Sequence, residues 1–302
     1  MNARLTFVHA LSPLHAGTGQ GVGVIDLPIA RERATGIPYL PGSSLKGTLR
    51  DLCTHQRKDD VFGPPTSNAA DYAGSAQFSD QRLLLLPIRS LKGTFAWVTS
   101  RYLLGRLARD GKSANGSTSC PSLPPALTGK QFAVVKTGCA LLYQKRKPNG
   151  AGTIATVILE DLDLDVHSTF DASDWAEWIG ERAFGDKESL KPRFCVVPDD
   201  VLTFLLNTAT EITARIRLDE KLKTVARGAL WYEEALPSET ILSGLLVATE
   251  VKASKDVVFE VVDSVLANHS AVQLGGKATV GRGVCSVTTW PKPQEASDAS
   301  IS

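Results

Sequence analysis

Polar and apolar residues alternate over residues 5–11, LTFVHAL, enough to predict a strand whose end leads into a glycine-rich loop. The period then changes. Over residues 44–57, Leu45, Leu49, Leu52 and Cys53 fall on one helical face, with Lys46, Arg50 and Arg57 on its flank. The polar, turn-rich residues 57–74 read as a surface connection. Residues 77–88 contain the run Leu83 to Leu86 and predict a buried strand; residues 98–109 predict a helix stopped by Gly111. Residues 110–129, rich in Ser, Gly and Pro, predict a flexible insertion. Further on, a strand is expected over 153–166 and helices over 174–184 and 199–207. Residues 212–237 have two β-prone arms around a charged centre and predict a long protruding hairpin. A strand (239–251), a helix (256–268), a strand end (272–274) and a closing strand (284–290) complete the pattern, with residues 291–302 expected to be a disordered tail.

At 302 residues and 43% hydrophobic, the chain is long enough for one elaborated domain, taken as residues 1–290, with an ample core. The formal charge of +1 hides 33 basic and 32 acidic residues, so any nucleic-acid surface is local rather than global. Five widely spaced cysteines contain no C-x-x-C pair, which fits a reducing cytoplasm. The opening residues lack the apolar region of a signal peptide, and no run reaches the ~18 apolar residues of a membrane span.

Candidate chemistry gathers at two glycine-rich loops. In the first, Gly17, Gly19, Gly21 and Gly23 allow close backbone approach to an anion, and a single carboxylate, Asp26, follows before Leu27 and Pro28. Ser43 and Ser44 are expected to cap the next helix, which carries Lys46 and Arg50 one turn apart. In the second, Gly275, Gly276, Gly281 and Gly283 stand beside Lys277 and Arg282, a composition suited to a phosphodiester backbone. No register of the first loop fits G-x-G-x-x-G, and Lys46 precedes its glycine, unlike a Walker A lysine, so dinucleotide and ATPase readings fail. Glu160, Asp161, Asp163 and Asp165 can together hold a cation, although strand alternation already explains their spacing. Trp175 and Trp178, three apart, read as core or interface.

The run LSPLHAGTGQGVGVIDLPIARERATGIPYLPGSSLKG, with the late QLGGKATVGRGV, resembles the RAMP superfamily of CRISPR proteins. Within it the pattern is most similar to the repeated backbone subunit of type III-B (Cmr) effector complexes, which cuts target RNA; the type III-A (Csm) backbone subunit shares PGSSLKG and the loop acid. The resemblance implies an α+β, ferredoxin-like and RRM-like fold with insertions, in which 212–237 is a thumb. With 7% aromatics and no run of stacking aromatics, such a sheet would grip RNA through its backbone. Guide RNA is then expected at Gly17, Gly19, Gly21, Ser43, Ser44, Lys46, Arg50, Gly275, Gly276, Lys277, Gly281 and Arg282, with Leu222 and Val225 as the thumb's apolar wedge. Asp26 becomes the candidate base or ligand of a divalent cation (Mg²⁺ or Mn²⁺) shared with RNA phosphate, and His15, Tyr232 and either Glu233 or Glu234 its assistants. The implied partners are guide RNA, single-stranded target RNA, further copies of the chain and other subunits of the complex. A non-catalytic filament subunit and a metal-independent guide-processing nuclease using a histidine stay open.

Overall fold

The first strand decides the layering, because both of its faces are apolar: Leu5 and Phe7 enter one hydrophobic cluster, Val8 and Ala10 the other. A computed structural model describes residues 2–19, 25–68, 70–114, 120–126, 132–147, 150, 152–167, 170–218 and 225–292, with only the backbone of residues 66, 218 and 225–228. In chain order the elements are β1 (Ala3–Ala10), β2 (Tyr39–Leu40), α1 (Gly42–Leu52), α2 (Lys58–Phe62), β3 (Ala76–Phe78), β4 (Gln81–Arg89), β5 (Phe95–Ser100) and α3 (Arg101–Ser113). They continue as β6 (Phe132–Val135), β7 (Tyr143–Arg146), β8 (Thr153–Leu159), β9 (Leu162–Val166), α4 (Ser173–Phe184), β10 (Phe194–Val197) and α5 (Asp199–Thr208). The last are β11 (Glu211–Leu218), β12 (Val225–Ala235), β13 (Ile241–Ala248), α6 (Lys255–Asn268), β14 (Val272–Gln273) and β15 (Val284–Trp290).

The fold is α+β. A curled sheet runs β14-β15-β1-β13-β4-β5-β10-β6-β9-β8-β7, with β2 attached to β4 and β3 to β13. Leu45 and Leu49 of α1, Leu202 and Leu205 of α5 and Val258, Val261 and Val262 of α6 fill the cluster on one side. Leu104 and Leu107 of α3 and Trp175 and Ile179 of α4 fill the other. Each such buried side chain contributes ~1.5–3 kcal/mol, so the helices are held by packing more than by propensity. β11 and β12 stand apart as an antiparallel two-stranded sheet, with Ile212, Ile216 and Leu230 more than half exposed. The expected hairpin is therefore present, although residues 219–224 at its centre lie outside the described residues.

Several boundaries differ from the pattern-based reading. The helix expected over 44–57 ends at Leu52 as α1; residues 53–57 are a non-helical connection to α2. Pro41 occupies the cap position of α1 without a side-chain cap, so Ser43 and Ser44 lie inside the first turn rather than capping it. Asp80 supplies the missing acceptor, Gly42 N–H donating to its Oδ1 at 3.0 Å. The helix expected from residue 98 is preceded by β5; Ser100 caps it by accepting from Leu103 N–H at 3.5 Å. Gly111, read as a stop, is buried within α3 against Cys120 and Trp178. The expected insertion is thus helical up to Ser113; of its remainder, residues 115–119 and 127–129 lie outside the described residues. The single strand expected over 153–166 is the hairpin β8–β9, turning at Glu160 with φ 49°. Its acids are dispersed, Glu160 onto Arg89 and Asp163 onto Lys145.

The loop that follows Asp26 is tied to α3 by one carboxylate. Glu32 receives both terminal nitrogens of Arg106, at 2.8 and 2.5 Å. The Arg106 hydrogen bonds hold the Glu32 carboxyl at about 2, against the ordinary 4.5. A depressed folded-state value stabilises the protein above about pH 4.5, and that stability is lost as pH falls toward 2. In urea unfolding at stepped pH, Glu32→Gln should lower stability by about 2 kcal/mol at pH 7 and flatten its fall between pH 4.5 and 2.

Candidate functional site

Asp26 lies at the foot of the hairpin. The segment after the first glycine loop runs beside β12: Leu27 N–H donates to Tyr232 O at 3.1 Å, and Glu234 N–H donates to Leu27 O at 3.0 Å. That register places Asp26 on the surface with Oδ2 accepting Tyr232 N–H at 2.7 Å. Its other oxygen has no hydrogen-bond partner among the described residues. The carboxylate is thus aimed by the backbone and still open to a ligand. Tyr232 is 39% exposed beside it.

Glu233 and Glu234 are neighbours in sequence and point to opposite faces of the strand, as the two-residue period requires. Glu234, buried, accepts from Ile29 N–H at 3.1 Å, Arg31 at 2.6 Å and Thr210 Oγ1 at 2.9 Å. It anchors the Asp26 segment to β12. Glu233, also buried, meets Lys277 Nζ at 2.8 Å, Trp231 Nε1 at 2.9 Å and Arg215 Nε at 3.3 Å. Burial alone would raise its carboxyl; the hydrogen bonds of Lys277 and Trp231, with the charges of Lys277 and Arg215, win and hold it at about 2. The sequence reading missed Arg31, Thr210, Arg215 and Trp231. Only alternation along β11 and β12 signalled that Arg215, Trp231 and Glu233 share a face.

His15 joins the two glycine loops. Its Nδ1 lies 2.6 Å from the Glu234 carbonyl, which only accepts, so Nδ1 carries the hydrogen and Nε2 of the neutral ring is an acceptor. A Cβ on Gly17 would stand 2.6 Å from that Nε2, and one on Gly276 would stand 3.2 Å from Cδ2. These glycines make room for an imidazole, a role besides any close approach to an anion. Ala30 N–H donates to Ala16 O at 2.7 Å, which lays this strand against the Asp26 segment. Gly17→Ala should therefore displace the ring and lower stability by about 1–3 kcal/mol. The His15 imidazole resonances and the urea midpoint check this: an unshifted ring would mean that Gly17 is not its seat.

The other expected residues are distributed unevenly. Thr48 Oγ1 of α1 donates to Gln273 O at 3.3 Å, at the start of the second loop, so α1 and that loop adjoin. Lys46 is half-buried, its pKa lowered by burial and then by Arg50. Arg50 itself is spent on α2, with Asp59 at 2.8 Å and the Gly63 carbonyl at 3.2 Å. Arg282 is 5% exposed, donating to Thr213 Oγ1 at 3.1 Å while its second terminal nitrogen has no partner among the described residues. Gly275, Lys277 and Gly281 all take positive φ, which shapes the loop. Gly19 has open space on its Cβ side; Gly21 and Leu222 lie outside the described residues, and Val225 is described in backbone alone.

Among the described residues, no group of three or more His, Cys, Asp or Glu side chains could hold a metal ion. A cation here would have Asp26 as its protein ligand and draw the rest from water and phosphate. An exposed carboxylate with one free oxygen fits a magnesium-like ion, which sheds water reluctantly and favours phosphate oxygens. No helix among the described residues is long and apolar enough to cross a membrane.

The model of the RAMP superfamily matches residues 7–286. The chain is 36% identical to the CRISPR system Cmr endoribonuclease Cmr4 of Pyrococcus furiosus, over 95% of this chain and 96% of that one. The crystal structure of oligomeric Cmr4 from Pyrococcus furiosus superposes with a TM-score of 0.70 at 29% identity, covering 96% of this chain and 98% of the other. A type III-B Cmr-beta complex bound to cognate target RNA contains a chain of the same fold, with a TM-score of 0.69 at 22% identity, covering 96% and 97%. A family match over nearly the whole length, joined to that identity, means that this chain belongs to the RAMP superfamily.

Proposed function

We propose that this chain is the repeated backbone subunit of a type III-B CRISPR effector complex, which binds guide RNA and cuts complementary target RNA in antiviral defence. One observation carries the reading: the exposed Asp26 carboxylate is fixed by Tyr232 N–H of β12, the strand whose next two residues meet Lys277 of the second glycine loop and His15. The likeness to Cmr4, named an endoribonuclease, supports it. In this reading β15, β1, β13 and β4, with α1 after β1 and α6 after β13, are the ferredoxin-like core. The hairpin is the thumb, whose exposed Ile216 and Leu230 face bases.

RNA carries its own nucleophile, the 2′-hydroxyl, so the protein has to hold the scissile phosphate in line, help remove a proton and offset the developing negative charge. Asp26 is placed to accept that proton or to hold the phosphate's cation through its free oxygen. His15, anchored through Nδ1 on the Glu234 carbonyl, and the partly exposed Tyr232, whose N–H holds Asp26, would position the scissile phosphate. A Mg²⁺ or Mn²⁺ ion bound jointly by Asp26 and phosphate would supply charge neutralisation. Lys46 and the second glycine loop carry the guide, and copies of the chain repeat the site along it.

Lys46→Ala tests the guide path. Each phosphate contact releases counterions, so the variant should bind guide RNA several-fold more weakly, with the log–log salt slope reduced by about 1. Equal affinity and slope would remove α1 from the RNA path.

A further inference from the structure

Glu233 is read above only as a member of the site, yet its surroundings give it a narrower task. Lys277 and Arg282, from the second glycine loop, each reach a different strand of the hairpin: Lys277 to Glu233 on β12 and Arg282 to Thr213 on β11. Thr213 and Glu233 are register partners, so the two attachments lie side by side on one face. Arg215, two residues along that face, closes on Glu233 from the other strand at 3.3 Å. Directly behind Glu233 in sequence is the Tyr232 N–H that holds Asp26.

We propose that Glu233 is a positioning residue for RNA cleavage: an ionised clasp which, by holding Lys277 and Arg215, fixes the hairpin over the guide-bearing loop and thereby sets Asp26 against the target strand. The proposal rests on the RNA-cleaving reading above. Glu233 is 2% exposed and three donors hold its two oxygens, Lys277 and Trp231 on Oε1 and Arg215 on Oε2, so it lacks the access of a working base. Its carboxyl, held at about 2, stays ionised at neutral pH and has no proton to give. Three cations, Lys277, Arg215 and Arg282, outnumber Glu233 and the Glu211 that faces Arg282, so clasping leaves the cluster net positive and attractive to phosphate. Preorganised cations avoid reorganisation when the phosphorane charge develops.

The test uses Glu233→Gln and Lys277→Met, singly and together. In hydrogen exchange on the chain alone, both single variants should exchange faster over residues 211–217 and 274–283, while Asp26→Asn should not. In guide-loaded complexes, each should slow single-turnover cleavage of complementary RNA about 10- to 100-fold, without changing the shape of the pH–rate profile. The double variant should lose no more than the worse single one. Loss of an ionising limb of the profile in Glu233→Gln would make it a proton-transfer group and overturn the proposal. So would unchanged exchange, or fully additive losses. If the wild-type complex cuts no RNA, the reading beneath fails, while the exchange result still judges the clasp; should Glu233→Gln fail to fold, Lys277→Met carries both measurements.

Discussion

Asp26→Asn should leave the chain folded and bound to guide RNA while slowing target cleavage by ~10²–10⁴-fold, the span expected for loss of a general base or of a cation's anchor. The substitution isolates charge from shape. Asparagine keeps a side-chain oxygen to accept Tyr232 N–H, so the segment stays on β12. It also keeps the polar turn before Leu27 and Pro28. What disappears is the negative charge on the oxygen open to solvent. Single-turnover cleavage of labelled complementary RNA measures the loss. Target affinity, measured on the same preparation, separates a chemical defect from a binding defect. Full-rate cleavage by a complex holding only the asparagine form would make Asp26 a turn-forming residue and the chain a guide-binding filament subunit.

Glu234→Ala should have the other large effect, and it should appear first in stability, at about 3–5 kcal/mol. Removing one member of a buried ion pair leaves the remaining charge uncompensated. Arg31 loses its 2.6 Å partner, Thr210 Oγ1 its 2.9 Å acceptor and Ile29 N–H its 3.1 Å acceptor. All three belong to the structure that keeps the Asp26 segment on β12, so cleavage should fall with stability. Glu234→Gln, which retains an acceptor and loses the charge, should fall between the wild type and Glu234→Ala. Urea unfolding at pH 7 measures the order; a Glu234→Ala protein as stable as wild type would show that Arg31 and Thr210 find other partners.

Much of this fold was legible from period, even in β1, where both faces are buried. The alternation of residues 5–11 found β1, the spacing of Leu45 and Leu49 found the buried face of α1, and two β-prone arms around a charged centre found the hairpin. Boundaries failed where both periods fit one string. Residues 95–109 are apolar enough for strand or helix, and the change at Ser100 rests on a single hydroxyl. Gly111 looked like a stop, whereas it lies inside α3, where a Cβ would stand 3.1 Å from Cys120 Sγ. Asp26, His15 and Tyr232 were singled out by motif; in the fold Asp26 accepts from Tyr232 N–H, and His15 Nδ1 meets the Glu234 carbonyl two residues further along β12. Their geometry was not legible: Gly275 and Gly276 adjoin His15 from the far end of the chain, and nothing local in GGKATVGRG announces an imidazole. Arg282 looked like a surface cation, but its neighbour Gly283 approaches the Leu274 carbonyl so closely that a Cβ would stand 2.0 Å from it. That tight turn accompanies the burial of the guanidinium. Ser43 and Ser44 had cap chemistry, but Pro41 and Asp80 had already taken the cap.

The most direct measurement is a cleavage assay with a complex loaded with guide RNA, given end-labelled complementary or non-complementary RNA in Mg²⁺ or in EDTA. Cuts at regular intervals in the complementary strand alone, present in Mg²⁺ and absent in EDTA, are the expected result, since each copy of the chain along the guide would present one Asp26. Complementary RNA that is bound and left whole in Mg²⁺, or cut equally well in EDTA, would contradict a cation-assisted, guide-directed ribonuclease built on that carboxylate.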